Sequence, residues 1–338
     1  MKVLSCIQPG SLEYTTSNKP TLQPGHSILE IKRIGICGTD LHAYEGTQPY
    51  FEYPRILGHE LSAIIRDTGS NTGFTSGEAV TIIPYFNCGN CIACRNNKPN
   101  CCVNIQVFGV HTDGGMREFV SVPDDKLFKS EGLDLDALAL IEPLSIGAHA
   151  ISRAQVVRDE FVLIVGAGPI GLGIMELARV AGAVVIAMDM NEERLQFCRE
   201  QLNIDHTINP AKEDVMQKLK EITNDDMPTV VFDATGNLKA INNGINYLAH
   251  GGRYVLVGLQ KEAMSFSHPE FHKRETTLMS SRNATKDDFL YVINTFKKGL
   301  VKPDNFITHR TAFTEVRENF SSWLDPKNKV IKAMVDFD

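Results

Sequence analysis

Long runs of lysine and arginine are missing from the 338 residues, which carry a formal net charge of -7 and a sequence pI of about 5.8. Binding to a phosphate backbone rests on concentrated basic charge, so nucleic acid is excluded as the main partner. Long hydrophobic runs are missing too. The most apolar stretch, residues 161–178, is broken by glycines, Pro169 and Glu176, and reads as buried strand and turn, not as a membrane span. The opening MKVLSCIQPG has one lysine and too short an apolar run for a secretion signal. A cytoplasmic protein with no membrane partner is therefore expected. Its eight cysteines would then be reduced thiols, for which close spacing means metal more often than disulfide. No internal repeat or low-complexity segment occurs. What remains is ordinary soluble composition, 43% hydrophobic and 22% charged, in a chain long enough for about two domains.

The densest chemistry lies in residues 37–60, where one thiol, two imidazoles and several carboxylates are interrupted by glycines and prolines that forbid a long helix. Cys37 can supply a thiolate and His59 a neutral imidazole, donors that Zn²⁺ favours, while Glu60 or a later carboxylate can complete three protein ligands and leave one position open. Thr39 and His42 are not needed as ligands; a hydroxyl and an imidazole near a Lewis acid suit proton transfer to solvent. A second candidate carboxylate is Glu142, in the apolar run ALALIEPLSIGAHA. Pro143 is expected to hold it out of helical geometry, and a buried charge there needs a partner such as the metal. His149, in the same run, reads as a packing histidine.

CGNCIACRNNKPNCC is a different kind of site. Cys88, Cys91 and Cys94 are two residues apart, and a further thiol follows at Cys101 or Cys102. Four thiolates on a tight loop make a closed tetrahedral zinc site that holds structure and admits no substrate. An iron–sulfur cluster uses similar spacing. Cys6 and Cys198 have no ligand-type neighbours and read as structural thiols.

Around these motifs, residues 27–34, 60–66, 79–84 and 119–122 read as short strands of an irregular, mostly antiparallel β domain. From residue 161 the pattern changes to strand, Gly166-Ala-Gly168-Pro169-Ile170-Gly171, helix to about residue 181, and strand 184–188 ending at Asp189. Gly166 allows the tight turn, Gly168 the approach of a pyrophosphate, Gly171 the packing of helix on strand, and the helix N-terminus faces the anion. Asp189 stands where a carboxylate accepts the adenosine ribose hydroxyls. It also repels a 2′-phosphate, and the nearby Arg194 is expected to be offset by Glu192 and Glu193, so NAD is favoured over NADP. Further helices (192–202, 213–222, 238–249) alternate with strands (206–208, 229–233, 253–258), which predicts a doubly wound parallel sheet. Thr235 and the triplet Val257, Gly258 and Leu259, at strand ends, are candidate cofactor walls. Helix 286–297 and a closing strand complete the reading. Lys273, Arg282 and Asn283 are candidate polar contacts for substrate or cofactor, although surface ion pairs are the commoner fate of such residues.

Taken together, GICGTDLH (residues 35–42), GHE (58–60), GEAV (77–80), the CxxCxxCx₇C loop, IEPLSIGAHA (141–150) and VGAGPIGLG (165–173) resemble the zinc-containing medium-chain alcohol dehydrogenase family over nearly the whole chain. Glu142 stands where the ethanol-active enzymes of the family have a second cysteine, and so resembles the sorbitol and threonine dehydrogenase branch; Ala63 and Thr72 depart from the usual Gly and Val. The resemblance implies an α/β architecture: a GroES-like catalytic domain (1–150 and 284–338) and a Rossmann domain (151–283). It implies one catalytic and one structural zinc, with Cys102 as fourth structural ligand, NAD as hydride acceptor, Thr39 and His42 as proton relay, and a homodimer or homotetramer. Glu60 and Glu142 both remain candidates for the third catalytic ligand. Residues 268–285, with YFEYPRILGHE and IPYFNCGNC, further resemble bacterial oxidoreductases of open-chain sugar acids of the L-galactonate kind, implying a small polyol or sugar-acid substrate. A threonine-type or other secondary-alcohol dehydrogenase, or an idle NAD-sensing protein, are the alternatives; intact Thr39 and His42 speak against the last.

Overall fold

The computed structural model describes residues 1–49, 51–69 and 73–337. Tyr50 and Thr72, both in motifs quoted above, lie outside them. The chain divides into two compact units, Met1–Pro143 with Thr285–Asp338, and Leu144–Ala284. The division falls at Pro143/Leu144, where the sequence reading placed it after residue 150.

The first unit is mostly antiparallel. Strand His26–Gly35 alternates buried and partly exposed residues along HSILEIKRIG, the period-2 pattern of a half-buried strand. It pairs with Glu60–Thr68, with Phe119–Pro123 and with Lys332–Asp336, all antiparallel. Ala79–Ile82 and Leu127–Lys129 extend the sheet on one side, and Ile307–Ala312 joins Lys332–Asp336 in parallel on the other. Leu29, Ile31, Ile34, Leu61, Ala63, Ile65, Val80 and Ile82 form its buried core. A smaller sheet, Ser11–Thr16, Lys2–Gln8 and Arg55–Ile56, escaped the sequence reading because KVLSCIQ lacks clean alternation.

The second unit is a six-stranded, wholly parallel sheet in the order His206–Ile208, Val184–Met188, Phe161–Val165, Val230–Asp233, Arg253–Leu256, Thr277–Ser280. Numbered along the chain this is 3-2-1-4-5-6, the Rossmann order, whose switch point lies between Phe161–Val165 and Val230–Asp233. Helix Glu192–Leu202 starts at an Asn191 cap and helix Val215–Thr223 at an Asp214 cap, two residues later than expected for the second. The helix expected over 238–249 ends at Gly244 and continues as a single 3₁₀ turn, Ile245–Tyr247.

One expectation is overturned. Glu142 is helical, because a continuous helix Leu135–Ala154 runs straight through Pro143. An internal proline costs about 3 kcal/mol or more locally. Residues 137–145 are buried without interruption, and packing of that apolar length overrides the local penalty. By length and composition this helix could cross a bilayer, but 72% of its apolar window is buried inside the protein, as in a core helix.

Candidate metal centre and nucleotide loop

Three chain segments meet at the end of the first unit's sheet. Strand His26–Gly35 delivers Cys37 just past its end, Glu60 opens the neighbouring strand opposite Gly35, and Lys332 opens the strand on the other side. The ligand atoms of Cys37, His59 and Glu60 all lie within 4.8 Å of one another. Gly35 makes room for this: a Cβ there would sit 2.1 Å from Glu60 Oε2. Lys332 is 3% exposed; its Nζ donates to both Glu60 oxygens at 2.6 Å and to the Ile36 carbonyl at 3.1 Å. Burial alone would lower the lysine's pKa, but Glu60 and Cys37 raise it above the ordinary value, so Lys332 is a cation.

Asp40, in the first turn of helix Gly38–Glu45, is buried. It accepts from the Cys37 N–H at 3.0 Å and the Gly58 N–H at 3.1 Å, and its Oδ1 stands 3.7 Å from His59 Nδ1. That nitrogen is buried without a hydrogen-bond partner. Burial would lower the His59 pKa, yet Asp40, Cys37 and Glu142 pull it well above its usual value. A thiol, a ring and a carboxylate converge, ringed by further acids, and the donor set suits a divalent cation. Glu142 lies outside this trio. Its Oε1 accepts from the Tyr85 hydroxyl, and burial lifts its pKa to about 7 against the opposing pull of His59.

Cys88, Cys91, Cys94 and Cys102 form the second cluster, again with all ligand atoms within 4.8 Å. The Cys91–Cys94 and Cys88–Cys102 sulfurs are 3.5 Å apart and no disulfide joins them. Zn–S bonds of about 2.3 Å in a tetrahedron require sulfurs roughly 3.8 Å apart, so a small widening of these two pairs fits the ion. The N–H groups of Cys94 and Val103 bring Cys91 down to about 6, whereas burial pushes Cys102 up to about 11. Cys101 is exposed and outside the cluster. Cys6 and Cys198 are buried thiols, raised to about 11 and about 12 by desolvation, as inert structural cysteines are.

In the second unit, Gly166 has φ +103° and a Cβ on Gly171 would come within 1.8 Å of its carbonyl oxygen; both positions therefore demand glycine. A Cβ on Gly168 would meet nothing within 4 Å, which leaves that side of the turn open to a ligand. Gly168 caps helix Pro169–Val180, with Pro169 at its first position. Asp189 accepts from the Ala167 N–H at 2.7 Å and the Asn191 N–H at 2.8 Å, which fixes the carboxylate against the loop. The loops carrying Thr235 and Gly258 touch: a Cβ on Gly258 would lie 2.3 Å from the Gly236 nitrogen. Leu259 is exposed.

Residues 23–132 match the alcohol dehydrogenase GroES-like domain and residues 169–298 the zinc-binding dehydrogenase domain. The L-galactonate-5-dehydrogenase of Escherichia coli K12 is 41% identical over 100% of this chain and 99% of its own length. The chain belongs to the zinc-type alcohol dehydrogenase family. It is an oxidoreductase by that membership. The 2-dehydro-3-deoxy-L-galactonate 5-dehydrogenase of Pseudoalteromonas atlantica is 30% identical over 93% of this chain and 92% of that protein. Among solved structures, the alcohol dehydrogenase rspB of E. coli CFT073, complexed with NADH, superposes with TM-score 0.92 at 31% identity, covering 100% of this chain and 99% of that one.

The remaining sequence candidates of this dehydrogenase fall as follows. Thr39 and His42 share the helix Gly38–Glu45; His42 is exposed, with Nδ1 3.4 Å from Glu45 and 3.3 Å from Thr47. Lys273 pairs with Glu270 at 3.9 Å on the surface, which accounts for its charge. Arg194 differs from expectation. Glu192, thought to offset it, is engaged with Arg199, Lys212 and Asn209, and Arg194 instead stands 3.8 Å from Asp189. Helix geometry is the reason, since Glu192 and Arg199 lie about two turns apart on one face.

Three residues of the metal centre were missed: Asp40, Tyr85 and Lys332. Asp40 had a signal, an acid three residues after Cys37 at a helix start, which is capping-box spacing. Lys332 had half of one, because a lysine inside IKAMV must find an anion if that strand is buried. Tyr85, in IIPYF, had none.

Proposed function

We propose that this dehydrogenase oxidises a secondary hydroxyl of a polyol or open-chain sugar acid, of the L-galactonate kind, and passes the hydride to NAD. The observation carrying this reading is the Cys37, His59 and Glu60 trio, in a chain that matches an L-galactonate-5-dehydrogenase over 100% of its length and a 2-dehydro-3-deoxy-L-galactonate 5-dehydrogenase over 93%. Bound zinc would supply a Lewis acid that lowers an alcohol's pKa by several units near neutral pH, and bound NAD the hydride acceptor. Cys37, His59 and Glu60 would hold the first metal, and Cys88, Cys91, Cys94 and Cys102 a second, structural ion. Lys332 orients Glu60 by donating to both of its oxygens. Asp40 holds the Cys37 backbone and faces His59. Thr39 takes the proton of the substrate hydroxyl and His42, at the surface, passes it to water. Glu142 offers an acceptor to the substrate.

The part of the chain before residue 151 and after 283 would be catalytic, and residues 151–283 would bind NAD. Gly166, Gly168, Pro169, Ile170 and Gly171 would face the pyrophosphate, Asp189 the adenosine ribose, and Thr235, Val257, Gly258 and Leu259 the walls. Arg282 and Asn283 are further polar candidates. A cytoplasmic homodimer or homotetramer working on a small molecule completes the reading. The test is NAD reduction across a panel of polyols and aldonates, with zinc measured on the same sample. Turnover of an aldonate or polyol with two zinc ions per chain, one for each cluster, is expected; turnover by a zinc-free preparation, or strict use of NADP, refutes the reading.

The cofactor choice has its own check. Asp189→Ala is expected to raise KM for NAD about tenfold, the loss of charge-assisted bonds worth roughly 1.5 kcal/mol. It also frees Arg194, 3.8 Å away, to meet a 2′-phosphate, so kcat/KM for NADP should rise. An unchanged NAD-to-NADP ratio of kcat/KM would show that Asp189 does not choose the cofactor.

A further inference from the structure

We infer that Tyr85 is a positioning residue that holds Glu142 away from the metal trio and so keeps the fourth coordination place open for substrate. The inference rests on the reading of Cys37, His59 and Glu60 as zinc ligands. Glu142 is a spare carboxylate: it is 4% exposed, it senses the charges of His59, Glu60 and Lys332, and yet it stands outside the trio. A buried carboxylate beside a divalent cation has every electrostatic reason to bind it. Four protein ligands would close a tetrahedral zinc, as in structural sites, and exclude an alcohol. What restrains Glu142 is the phenol, whose hydroxyl donates to Oε1.

Tyr85 is well suited to this restraint. It is 5% exposed, and burial together with the adjacent Glu142 carries its pKa well above the ordinary value, so it remains a donor. Its backbone is fixed as well. Strand Tyr85–Phe86 pairs with Gln106–Val107, Tyr85 opposite Val107. The chain between these two short strands carries all four cysteines of the second cluster. Closing that loop with a metal pins both ends of a two-residue strand pair that would be marginal alone. The cysteine loop thereby acquires a task at the other metal, since it holds the residue that restrains Glu142.

Tyr85→Phe keeps the ring and removes the donor. Glu142 is then buried without its partner, and a cation held by the trio offers it a new one. Release of zinc to a chelator should therefore slow in Tyr85→Phe, by about tenfold, at the low end of effects from residues that orient ligands. The phase belonging to the trio is the one that Cys37→Ala lacks. KM for the alcohol should rise about tenfold, because substrate must displace Glu142, while kcat changes less. Glu142→Gln alone should release zinc at the wild-type rate, and Tyr85→Phe/Glu142→Gln should return to that rate. Equal or faster release from Tyr85→Phe overturns the inference alone. Faster release from Glu142→Gln also overturns it, since Glu142 would already be a ligand. Should Cys37→Ala lack no phase at all, the zinc reading and the inference fall together.

Discussion

Cys37→Ala is expected to lower kcat/KM for the alcohol roughly a thousand- to ten-thousand-fold, the several kcal/mol a Lewis acid contributes at about 1.36 kcal/mol per tenfold. The thiolate is the one sulfur in the trio, and alanine leaves two donors, too few to hold zinc in competition with water. Zinc content should fall from two ions per chain to one, because Cys88, Cys91, Cys94 and Cys102 form a separate cluster. NADH binding, followed by fluorescence, should be unchanged, since the glycine turn and Asp189 lie in the other unit. A variant that keeps wild-type turnover removes Cys37 from the chemistry; one that loses NADH binding as well has unfolded and cannot be scored on activity.

The second large effect belongs to stability. Lys332→Met should destabilise the protein by about 3–5 kcal/mol, the cost of removing one partner of a buried pair and leaving the other charge uncompensated. The side chains are of similar length, so packing is largely kept and the change isolates the charge. Both Glu60 oxygens and the Ile36 carbonyl lose a donor. Lys332→Met/Glu60→Gln should regain much of the loss, as removing both charges of such a pair is often near neutral for stability. The pH dependence follows from the direction of the shift. The folded pKa of Lys332 lies above its ordinary value, so the lysine's contribution is intact at neutral pH and fades as pH climbs through and beyond the ordinary lysine range. Denaturant unfolding of the metal-free protein at pH 7 measures the single and double variants, and repeating it up to about pH 11 measures the pH dependence. A loss below about 1 kcal/mol, the value of an exposed pair, would show that water reaches the site.

Features set by neighbours in sequence were the legible ones. The strand, glycine turn, helix and acid between residues 161 and 189 lie within thirty residues, and each follows from local physics: positive φ at Gly166, proline at a helix start, an acid at a strand end. The cysteine loop was legible for the same reason, and only the choice between Cys101 and Cys102 waited on geometry or resemblance. Glu142 shows where local reasoning fails. Pro143 argued correctly for a local penalty, but burial of residues 137–145 outweighs it, and burial is a property of the fold. Lys332 shows a second limit. Its partner is 272 positions away in the chain, and no spacing rule reaches that far. Arg194 shows a third: its partner was sought among the acids beside it, and the structure supplies Asp189 across the turn.

The order in which the chain is made gives the split first unit a further meaning. Residues 144–284 are continuous, so a nascent polypeptide can finish the nucleotide-binding sheet while the first unit still awaits its final strands. Cys37, His59 and Glu60 emerge early, yet the ammonium that holds Glu60 lies 272 positions further along, on strand Lys332–Asp336. Until then Glu60 lacks the two bonds that Lys332 donates to it. Late delivery of Lys332 thus places completion of this buried pair after the whole parallel sheet of the second unit has been made.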